Sequence, residues 1–482
     1  MNTAISMRSN TKPLAIAVML AVLTLSSCIP ALKVREARKN TPSTYAHATD
    51  TTDAAIIPLK QFFTDPYLRV LIDTALSGNQ ELNIMLQEIT MAQNEVRARK
   101  GEYLPFVDIG GAAGVEKVGR FTRNGAVEHN VEVDEGKEFP EPLPDFLLNA
   151  RASWEIDIWR KLRNAKQAAV MRYLGSVEGR NFMITHLVAE IASSYYELMA
   201  LDNQLQILQS NIAIQQDALQ IVRLEKQAAK VTELAVRRFE AEVLKNRSKQ
   251  FEIQQQVVEM ENRINFLVGR YPQPIPRNSQ AFSSLLPDTV FAGLPSQLLA
   301  YRPDIRKAEL EIAAAKLDVQ SAKANFYPSL RITAGVGLNA INTTYLTQTP
   351  QSLLYNAVGD LVAPLINRNA IKAVYANANA HQLQVVYDYE RTLLNAYVEV
   401  VNQLSNIKNL RSSFDLRAQQ VDALSSSITI STNLFRSARA DYMEVLLTQR
   451  DALESKFELV ETRKQLLNAH VDIYRALGGG WK

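Results

Sequence analysis

The chain has 482 residues, a formal net charge of +3, one cysteine and five histidines, and 47% of its residues are hydrophobic. This is the composition of a folded protein. The two signs of charge are interspersed, so no polybasic stretch indicates nucleic-acid binding. One cysteine excludes a disulfide framework, and the scattered histidines form no metal-ligand cluster. We therefore expect no cofactor, no metal site, no nucleic-acid partner and no enzymatic activity.

The N-terminal segment predicts a lipoprotein signal peptide. A short basic start precedes the apolar run Leu14–Leu25, which is too short to span a bilayer and has the layout of a removable secretory signal. The tetrapeptide that ends at Cys28 resembles the bacterial lipobox, in which the signal is cut before the cysteine and the thiol is acylated. Residue 29 is Ile and not Asp, which favours sorting to the outer membrane. We predict a signal peptide over 1–27 and a lipidated extension over 28–61; a buried free cysteine beside an ordinary signal is the alternative.

The sequence carries a long-range internal repeat. Four landmarks recur in the same order: Tyr103–Pro105 as Phe326–Pro328, Asn164–Ala165 as Asn369–Ala370, Ala229–Val231 as Ala438–Ala440, and Leu267–Gly269 as Ala476–Gly478. This predicts two structural repeats, 62–270 and 295–482, joined by a Pro-rich linker over 271–294.

Each repeat contains one very long helical pattern. Asn164–Ala229 has no Pro, and Asn369–Ala438 has neither Pro nor Gly. At 1.5 Å per residue such helices reach roughly 100 Å, which is typical of coiled coils. Shorter helices are predicted at Asp65–Glu102, Thr232–Arg270, Arg302–Asn325 and Asp441–Leu477. The predicted fold class is mainly α, with long antiparallel coiled-coil helices.

Four segments show the period-two alternation of strands: Val107–Lys117, Leu148–Trp159, Leu330–Asn339 and Leu353–Leu365. Their lengths suit tilted membrane-spanning strands. A soluble sheet with one buried face gives the same alternation, but the lipoprotein signal and the lack of an 18-residue apolar segment favour a membrane β-barrel. Because barrels begin at about eight strands, four strands require several chains to close one.

Two further features concern the strands and the loop between them. Trp154 on the apolar face and Trp159 at the strand end are expected to lie at the membrane interface. The loop 121–143 is acidic and contains His129, so it could bind a divalent cation, although a solvated loop is the preferred interpretation.

Three motifs resemble those of one protein family. The run Gly293–Glu309, which reads GLPSQLLAYRPDIRKAE, is similar to the signature of outer-membrane lipoprotein channels of resistance-nodulation-division efflux systems. These channels are the NodT-type branch of the TolC-like outer-membrane efflux proteins. The segments Asp441–Arg450 and Ile473–Trp481 match the same branch, and the resemblance extends from about Phe62 to Trp481.

The resemblance implies a homotrimer in which each chain contributes four strands to a twelve-strand barrel, while the helices form a hollow periplasmic tunnel. It implies lipid contact in the outer membrane, with most of the chain in the periplasm. It also implies two protein partners, a periplasmic adaptor and an inner-membrane proton-driven pump. The chain would then be a passive exit duct.

The resemblance also implies site residues. The tunnel should close, and the adaptor should dock, at the helix turns Ala229, Lys230, Val231 and Ala438, Arg439, Ala440. Many relatives carry Gly at the positions of Ala229 and Ala438, because Gly tolerates positive φ and Ala does not.

One level inside those turns, some relatives place two carboxylates one helical turn apart. Glu444 matches the first, and the second position is Leu447. Three copies of Glu444 around a narrow axis would attract cations; a solvated helix glutamate is the alternative. Asp441, Arg436 and Arg439 are further candidates for holding the closed state.

Two rival functions remain at this stage. An exit duct for type I protein secretion uses the same fold, and a non-conducting lipid-anchored coiled-coil scaffold explains the lipobox and the long helices. The sequence leaves the cargo open among drugs, dyes, bile salts and metal ions.

Overall fold

The computed structural model describes residues 29–45, 57–285, 293–437 and 439–481. The predicted signal peptide, Cys28 and Ala438 lie outside the described residues. The described chain divides into two compact units. The sheet unit comprises residues 29–36, 91–173 and 310–386, and the helical unit comprises the remaining described residues.

The helices and strands follow one another in a repeating order. The first half contains α1 Leu59–Phe62, α2 Pro66–Gly78, α3 Gln80–Glu102, β1 Phe106–Glu116, α4 Arg123–Asn130, β2 Glu132–Asp134, β3 Lys137–Glu138, β4 Leu143–Ile156, α5 Lys161–Gln227 and α6 Glu233–Val268. The second half contains α7 Leu298–Tyr301, α8 Pro303–Ala324, β5 Ser329–Ala340, α9 Thr343–Leu346, β6 Leu353–Val362, α10 Asn369–Arg436 and α11 Tyr442–Ala476. The predicted mainly α class is confirmed.

The two longest helices match their predictions closely. Helix α5 has 67 residues and α10 has 68, and each begins and ends within three residues of the predicted bounds. The absence of Pro lets the backbone hydrogen-bond ladder continue through both segments. None of the helices in the described part of the chain has the length and hydropathy that a bilayer crossing requires.

Two predicted segments differ from the structure. The single helix expected over Asp65–Glu102 is broken at Asn79, whose backbone is extended. The Asn79 amide donates to the Leu267 carbonyl oxygen over 2.8 Å and accepts from the Leu82 N–H over 2.9 Å, so it ends α2 and caps α3. The acidic loop 121–143 contains helix α4 and the short hairpin β2–β3.

The sheet unit contains a four-stranded antiparallel sheet in the order β1–β4–β5–β6. Its register aligns side chains of like polarity across all four strands. One row consists of Asp108, Arg151, Gly335 and Asn356, and the adjacent row consists of Ile109, Ala150, Val336 and Tyr355. Because successive residues point to opposite faces, the sheet has one polar and one apolar face.

The polar face also pairs opposite charges directly. Glu155 on β4 lies opposite Arg331 on β5, which lies opposite Asp360 on β6. The nearest atoms of Arg331 and Glu155 are 3.9 Å apart. Such cross-strand pairs stabilise one register over its neighbours.

The N-terminal segment of the sheet unit is extended and held by side chains. Ile29 and Leu32 pack against a buried cluster that contains Phe326 and Tyr375. The buried side chain of Gln382 accepts from the Arg35 N–H over 3.2 Å and donates to the Arg35 carbonyl over 2.7 Å. One amide thus satisfies both backbone groups of an extended residue, as a neighbouring strand would.

The helical unit has an aromatic core around the start of α2. Phe62 stacks on Tyr474 with ring centroids 4.0 Å apart. Burial raises the pKa of Tyr474 to about 12, and its hydroxyl donates to the Ile57 carbonyl over 2.8 Å. Asp65 caps α2 by accepting from the Tyr67 N–H, and its second oxygen accepts from the buried Tyr195 hydroxyl over 3.0 Å.

A buried arginine joins three helices of the helical unit. Arg302, only 8% exposed, donates to Asp304 at the start of α8 over 2.8 Å and to Glu399 of α10 over 2.8 Å. It also donates to the carbonyl of Ala476, the last residue of α11, over 2.9 Å. Burial alone would lower the pKa of the guanidinium, but the hydrogen bonds and charges of Asp304 and Glu399 outweigh it and raise the pKa.

The C-terminal residues pack onto the segment beside this arginine. The Trp481 indole donates to the Tyr301 carbonyl over 3.2 Å. Gly478 has φ +91°, and a Cβ there would lie 2.6 Å from the same carbonyl oxygen. The motifs around Arg302 and the C-terminus therefore meet in one place, where only glycine fits at 478.

The turn between α5 and α6 is closed by two backbone hydrogen bonds. The Lys230 N–H donates to the Glu225 carbonyl and the Ala229 N–H to the Lys226 carbonyl, both over 2.9 Å. This is the Schellman pattern, which requires a left-handed residue. Ala229 adopts it with φ +57°, so this turn keeps its geometry with Ala in place of Gly.

The turn after α10 has a hydrogen bond equivalent to one in the first turn. The Arg439 N–H donates to the Leu434 carbonyl, five residues earlier, over 2.8 Å. The Lys230 N–H makes the same kind of bond to Glu225 in the first turn.

We predict that Arg302→Ala lowers the free energy of unfolding by about 2–3 kcal/mol, because it leaves two half-buried carboxylates and a helix-terminal carbonyl without their donor. Thermal unfolding of the purified protein measures the loss. Arg263→Ala is the control, since Arg263 forms an exposed pair with Glu190 and should cost about 1 kcal/mol or less. Equal losses in the two variants would contradict the assignment.

We predict that Ala229→Gly raises the free energy of unfolding by about 1 kcal/mol, because glycine adopts positive φ without the steric cost that Ala pays. Ala228→Gly is the matched control, since Ala228 has no positive φ and gains nothing from the exchange. Thermal unfolding measures the effect. If the unfolding midpoint rises no more for Ala229→Gly than for Ala228→Gly, the prediction is wrong.

Candidate functional site

The two helix turns share one apolar cluster, here called the turn cluster. It consists of Leu219, Val222, Ala235, Val236, Phe239 and Val243, with Ala218, Val231, Phe435, Tyr442 and Leu446 packed against it. Its members come from α5, α6, α10 and α11, so both turns are held on a common apolar support. Val231, a predicted docking residue, is half-buried in this cluster.

Exposed ion pairs surround the first turn. Glu233, at the start of α6, pairs with Lys226 near the end of α5 and with Arg237 over 2.8 Å. The hydrogen bond from Lys226 lowers the pKa of Glu233. Arg223 and Glu240 form a second pair between the same helices over 3.2 Å. Exposed pairs of this kind contribute little stability, so the apolar cluster dominates the packing of the turn.

The side chains of the predicted gate residues surround the second turn and form no ion pair or hydrogen bond with one another in the described residues. Arg436, Arg439, Asp441 and Glu444 are all exposed. Within the described residues, none of these four side chains has an ion-pair or hydrogen-bond partner. Asp441 occupies the N-cap position of α11, but its carboxylate caps no backbone N–H. Two acids and two bases are thus exposed around this turn.

Glu444 lies in the first turn of α11. Its N–H donates to the Asp441 carbonyl over 3.1 Å, and its carbonyl accepts from the Thr448 hydroxyl over 2.7 Å. Leu447, where a second carboxylate was considered, is partly exposed. The backbone of Glu444 is therefore fixed while its carboxylate faces solvent.

The predicted docking residues of both turns are largely accessible. Ala229, Lys230 and Arg439 are exposed and Ala440 is half-buried. Ala438 belongs to the same prediction and lies outside the described residues. The accessible side chains of Lys230 and Arg439 place a positive charge at each of the two turns.

Both tryptophans of the β4 region donate hydrogen bonds to the chain at the start of a neighbouring strand. The Trp154 indole donates to the Tyr103 carbonyl over 3.0 Å, and the Trp159 indole donates to the Pro328 carbonyl over 2.8 Å. Trp159 also stacks on Tyr327 with centroids 4.7 Å apart. These contacts join the two recurring landmarks, Tyr103–Pro105 and Phe326–Pro328, to the C-terminal end of the inner strand β4.

The apolar face of the sheet is exposed in the single chain. Ile109 is 80% exposed and Tyr355 82% exposed, and Val336 and Leu361 on the inner and edge strands are also exposed. A contiguous exposed apolar face of this kind marks a surface that interacts with another protein or with a membrane.

Sequence reasoning missed two structural contacts. The pairing of Arg302 with Glu399 was not foreseen, although the RPD motif was a signal for it. The contact between Gln382 and Arg35 joins residues 347 positions apart and has no sequence signal. Across the described ranges, no group of three or more His, Cys, Asp or Glu side chains has the arrangement of a metal site.

Comparisons with known proteins agree with this architecture. The family model described as outer membrane efflux protein matches residues 71–270 and 294–479. The pyoverdine export outer membrane protein OpmQ of Pseudomonas putida is 28% identical over 420 residues, which cover 87% of each chain. The cation efflux system protein CusC of Escherichia coli is 25% identical over 427 residues, which cover 88% of each chain.

The solved structures show the same fold. A membrane protein from Pseudomonas aeruginosa superposes with a TM-score of 0.83 at 22% identity, covering 93% of this chain and 99% of that one. Its likeness extends over nearly the whole chain, and the relatives above are named for export and efflux, not for an enzymatic reaction. Because the family model matches most of the sequence, the chain belongs to the outer membrane efflux protein family.

Proposed function

We propose that three copies of this chain form the exit duct of a tripartite efflux system, with a twelve-strand barrel in the outer membrane. The observation that carries the proposal is a sheet with an exposed apolar face and two open edges. In the described chain β1 and β6 each pair on one side only. Unpaired edges of this length call for a partner strand, and three four-stranded sheets joined edge to edge satisfy them all.

The exposed apolar face would contact lipid and the polar face would line the water-filled lumen. The row that contains Asp108, Arg151 and Asn356 supplies polar groups to that lumen. Trp154 and Trp159 fit the membrane interface, since each indole has an apolar body and a satisfied N–H.

The lipid anchor at Cys28 is part of the same proposal. Ile29 packs against the buried cluster that contains Phe326, three residues before the start of β5. An acyl chain on the preceding residue would then enter the membrane next to the barrel strands. The tether by Gln382 holds the extension in that position.

The two turns are proposed as the docking surface for the periplasmic adaptor, which would connect the duct to an inner-membrane proton-driven pump. Lys230 and Arg439 offer exposed cationic contacts there.

The same proposal treats residues 62–270 and 295–482 as two structural repeats, supported by their common order of elements. The duct is passive, since the pump supplies the energy.

Glu444 is proposed as the carboxylate that lines the constriction, with Asp441, Arg436 and Arg439 supplying contacts of the closed state. In the single chain all four are exposed and unpaired within the described residues. Around a threefold axis they would meet their counterparts on the neighbouring chains. Three carboxylates at a narrow opening favour cations.

We expect Glu444→Gln to reduce the cation preference of the reconstituted trimer in a planar bilayer, because it removes three negative charges from the constriction. Glu444→Ala should also raise the conductance, since it shortens the side chain. Glu454→Gln, an exposed change on the same helix, is the control and should leave the selectivity of the parent. A folded Glu444→Ala trimer that passes no ions would favour the non-conducting scaffold.

We expect Cys28→Ala to abolish incorporation of a radiolabelled fatty acid in cells, because the thiol is the proposed acceptor of the lipid. The parent chain, expressed in parallel, should be labelled. Labelling that persists in Cys28→Ala would exclude this residue as the anchor.

A further inference from the structure

Three helices near the turns form a continuous seam with coiled-coil spacing. The turn cluster fills one part of it. A second cluster, here called the stem cluster, consists of Leu201, Leu208, Ile212, Ile253 and Leu453. Helices α5, α6 and α11 contribute to both clusters, so the seam passes from one to the other along all three helices.

Between the two clusters, each helix places one buried amide in the seam. On α5, Gln215 lies between Ile212 and Leu219. The spacings of three and four residues put all three side chains on the same helix face.

The other two helices repeat this arrangement. On α11, Gln449 lies between Leu446 and Leu453 with the same spacings, and on α6, Asn246 lies between Val243 and Ile253. Gln215 is 1% exposed, and Asn246 and Gln449 are each 2% exposed. These three residues, each lying between the two clusters on its helix, are here called the polar layer. Asn211, four residues before Gln215 on α5 and 8% exposed, is a further buried amide of the seam within the stem cluster.

The polar layer is only partly satisfied within the described chain. The Asn246 amide donates to the Gln215 side-chain oxygen over 2.8 Å. The Gln215 Nε2 and the Gln449 Oε1 have no partner among the described protein groups. Leucine would fill the same seam without this desolvation cost, so stability does not account for the amides.

Buried polar residues at seam positions of coiled coils specify register. Apolar side chains with three- and four-residue spacing tolerate a slip by one helical turn, whereas a displaced amide would lie against leucine or valine. The short turn already fixes α5 against α6. The layer therefore acts chiefly on α11, whose amide lies between the same two clusters as the Gln215–Asn246 pair.

We propose that the polar layer is a positioning device that fixes the axial register of α11 against the α5–α6 hairpin and thereby holds Glu444 at the level where the pore closes. Glu444 lies five residues from Gln449, about 7.5 Å along the helix. A slip of one turn would move it by about 5.4 Å. This inference rests on the proposed function only in its consequence for closure; the register itself is a property of the chain.

The test replaces the layer with leucine in the triple variant Gln215→Leu, Asn246→Leu, Gln449→Leu. The rescue variant Gln215→Asn, Asn246→Gln exchanges the two bonded amides. Gln209→Leu makes the same kind of change at an exposed position of α5 and is the matched control. Three quantities are measured on each reconstituted trimer: the midpoint of thermal unfolding, the resting conductance, and the position of α11 against α6 by cryo-electron microscopy.

We expect the triple variant to unfold at or above the temperature of the parent, to show a several-fold higher resting conductance, and to show a shifted or heterogeneous α11. The rescue and control variants should behave as the parent. An unshifted α11 with parental conductance in the triple variant would overturn the proposal. If the triple variant does not fold, the single variant Gln449→Leu is tested instead, by the position of α11 and by the resting conductance.

The proposed function and the polar layer can fail separately. If neither the parent nor Glu444→Ala conducts ions, the proposed channel function is rejected. The position of α11 in the cryo-electron microscopy map then still decides whether the polar layer sets the register. A conducting Glu444→Ala beside a triple variant with parental α11 and parental conductance rejects the polar layer alone.

Discussion

The buried guanidinium of Arg302 is the interaction on which the helical unit depends. It neutralises Asp304 and Glu399 and caps the carbonyl of Ala476, so three helices converge on one cation. A buried charge is tolerated only when its partners are complete, which fixes the relative placement of α8, α10 and the end of α11. The tight contact between Gly478 and Tyr301 completes the same junction. The motifs Gly293–Glu309 and Ile473–Trp481 thus meet at a structural joint, whereas the motif Asp441–Arg450 contains the proposed gate residues Asp441 and Glu444.

The sheet solves a different physical problem. Its register places rows of polar side chains on one face and rows of apolar ones on the other, so each strand has one polar and one apolar side. The charges of Glu155, Arg331 and Asp360 compensate one another across three strands. A shift by one residue would exchange the two faces, which makes the register as constrained as the fold itself.

The sequence predicted the elements whose signals are local and continuous. The long helices could be predicted because no proline interrupts them, and the strands because their alternation is regular. The break at Asn79 was missed, since an asparagine within an amphipathic pattern gives no local sign that a carbonyl of a distant helix will satisfy its amide. The turn at Ala229 was indicated by the resemblance, in which glycine is common at this position, but the alanine itself gave no sign of its positive φ, because alanine ordinarily indicates helix. Of the candidate site, the sequence located both turns and the exposure of Glu444 but not the partly satisfied amides beneath them, whose burial arises only when three helices pack.

The clamp between Gln382 and Arg35 has a consequence for how the N-terminal extension can change in evolution. The side-chain amide contacts only the backbone N–H and carbonyl of residue 35, groups that every amino acid except proline offers alike. The clamp therefore sets no requirement on the side chain at this position and excludes only proline there. Substitutions at residue 35 other than proline therefore leave this contact intact, while the path of the extension also depends on the packing of Ile29 and Leu32 and on the ion pair between Lys316 and Glu36.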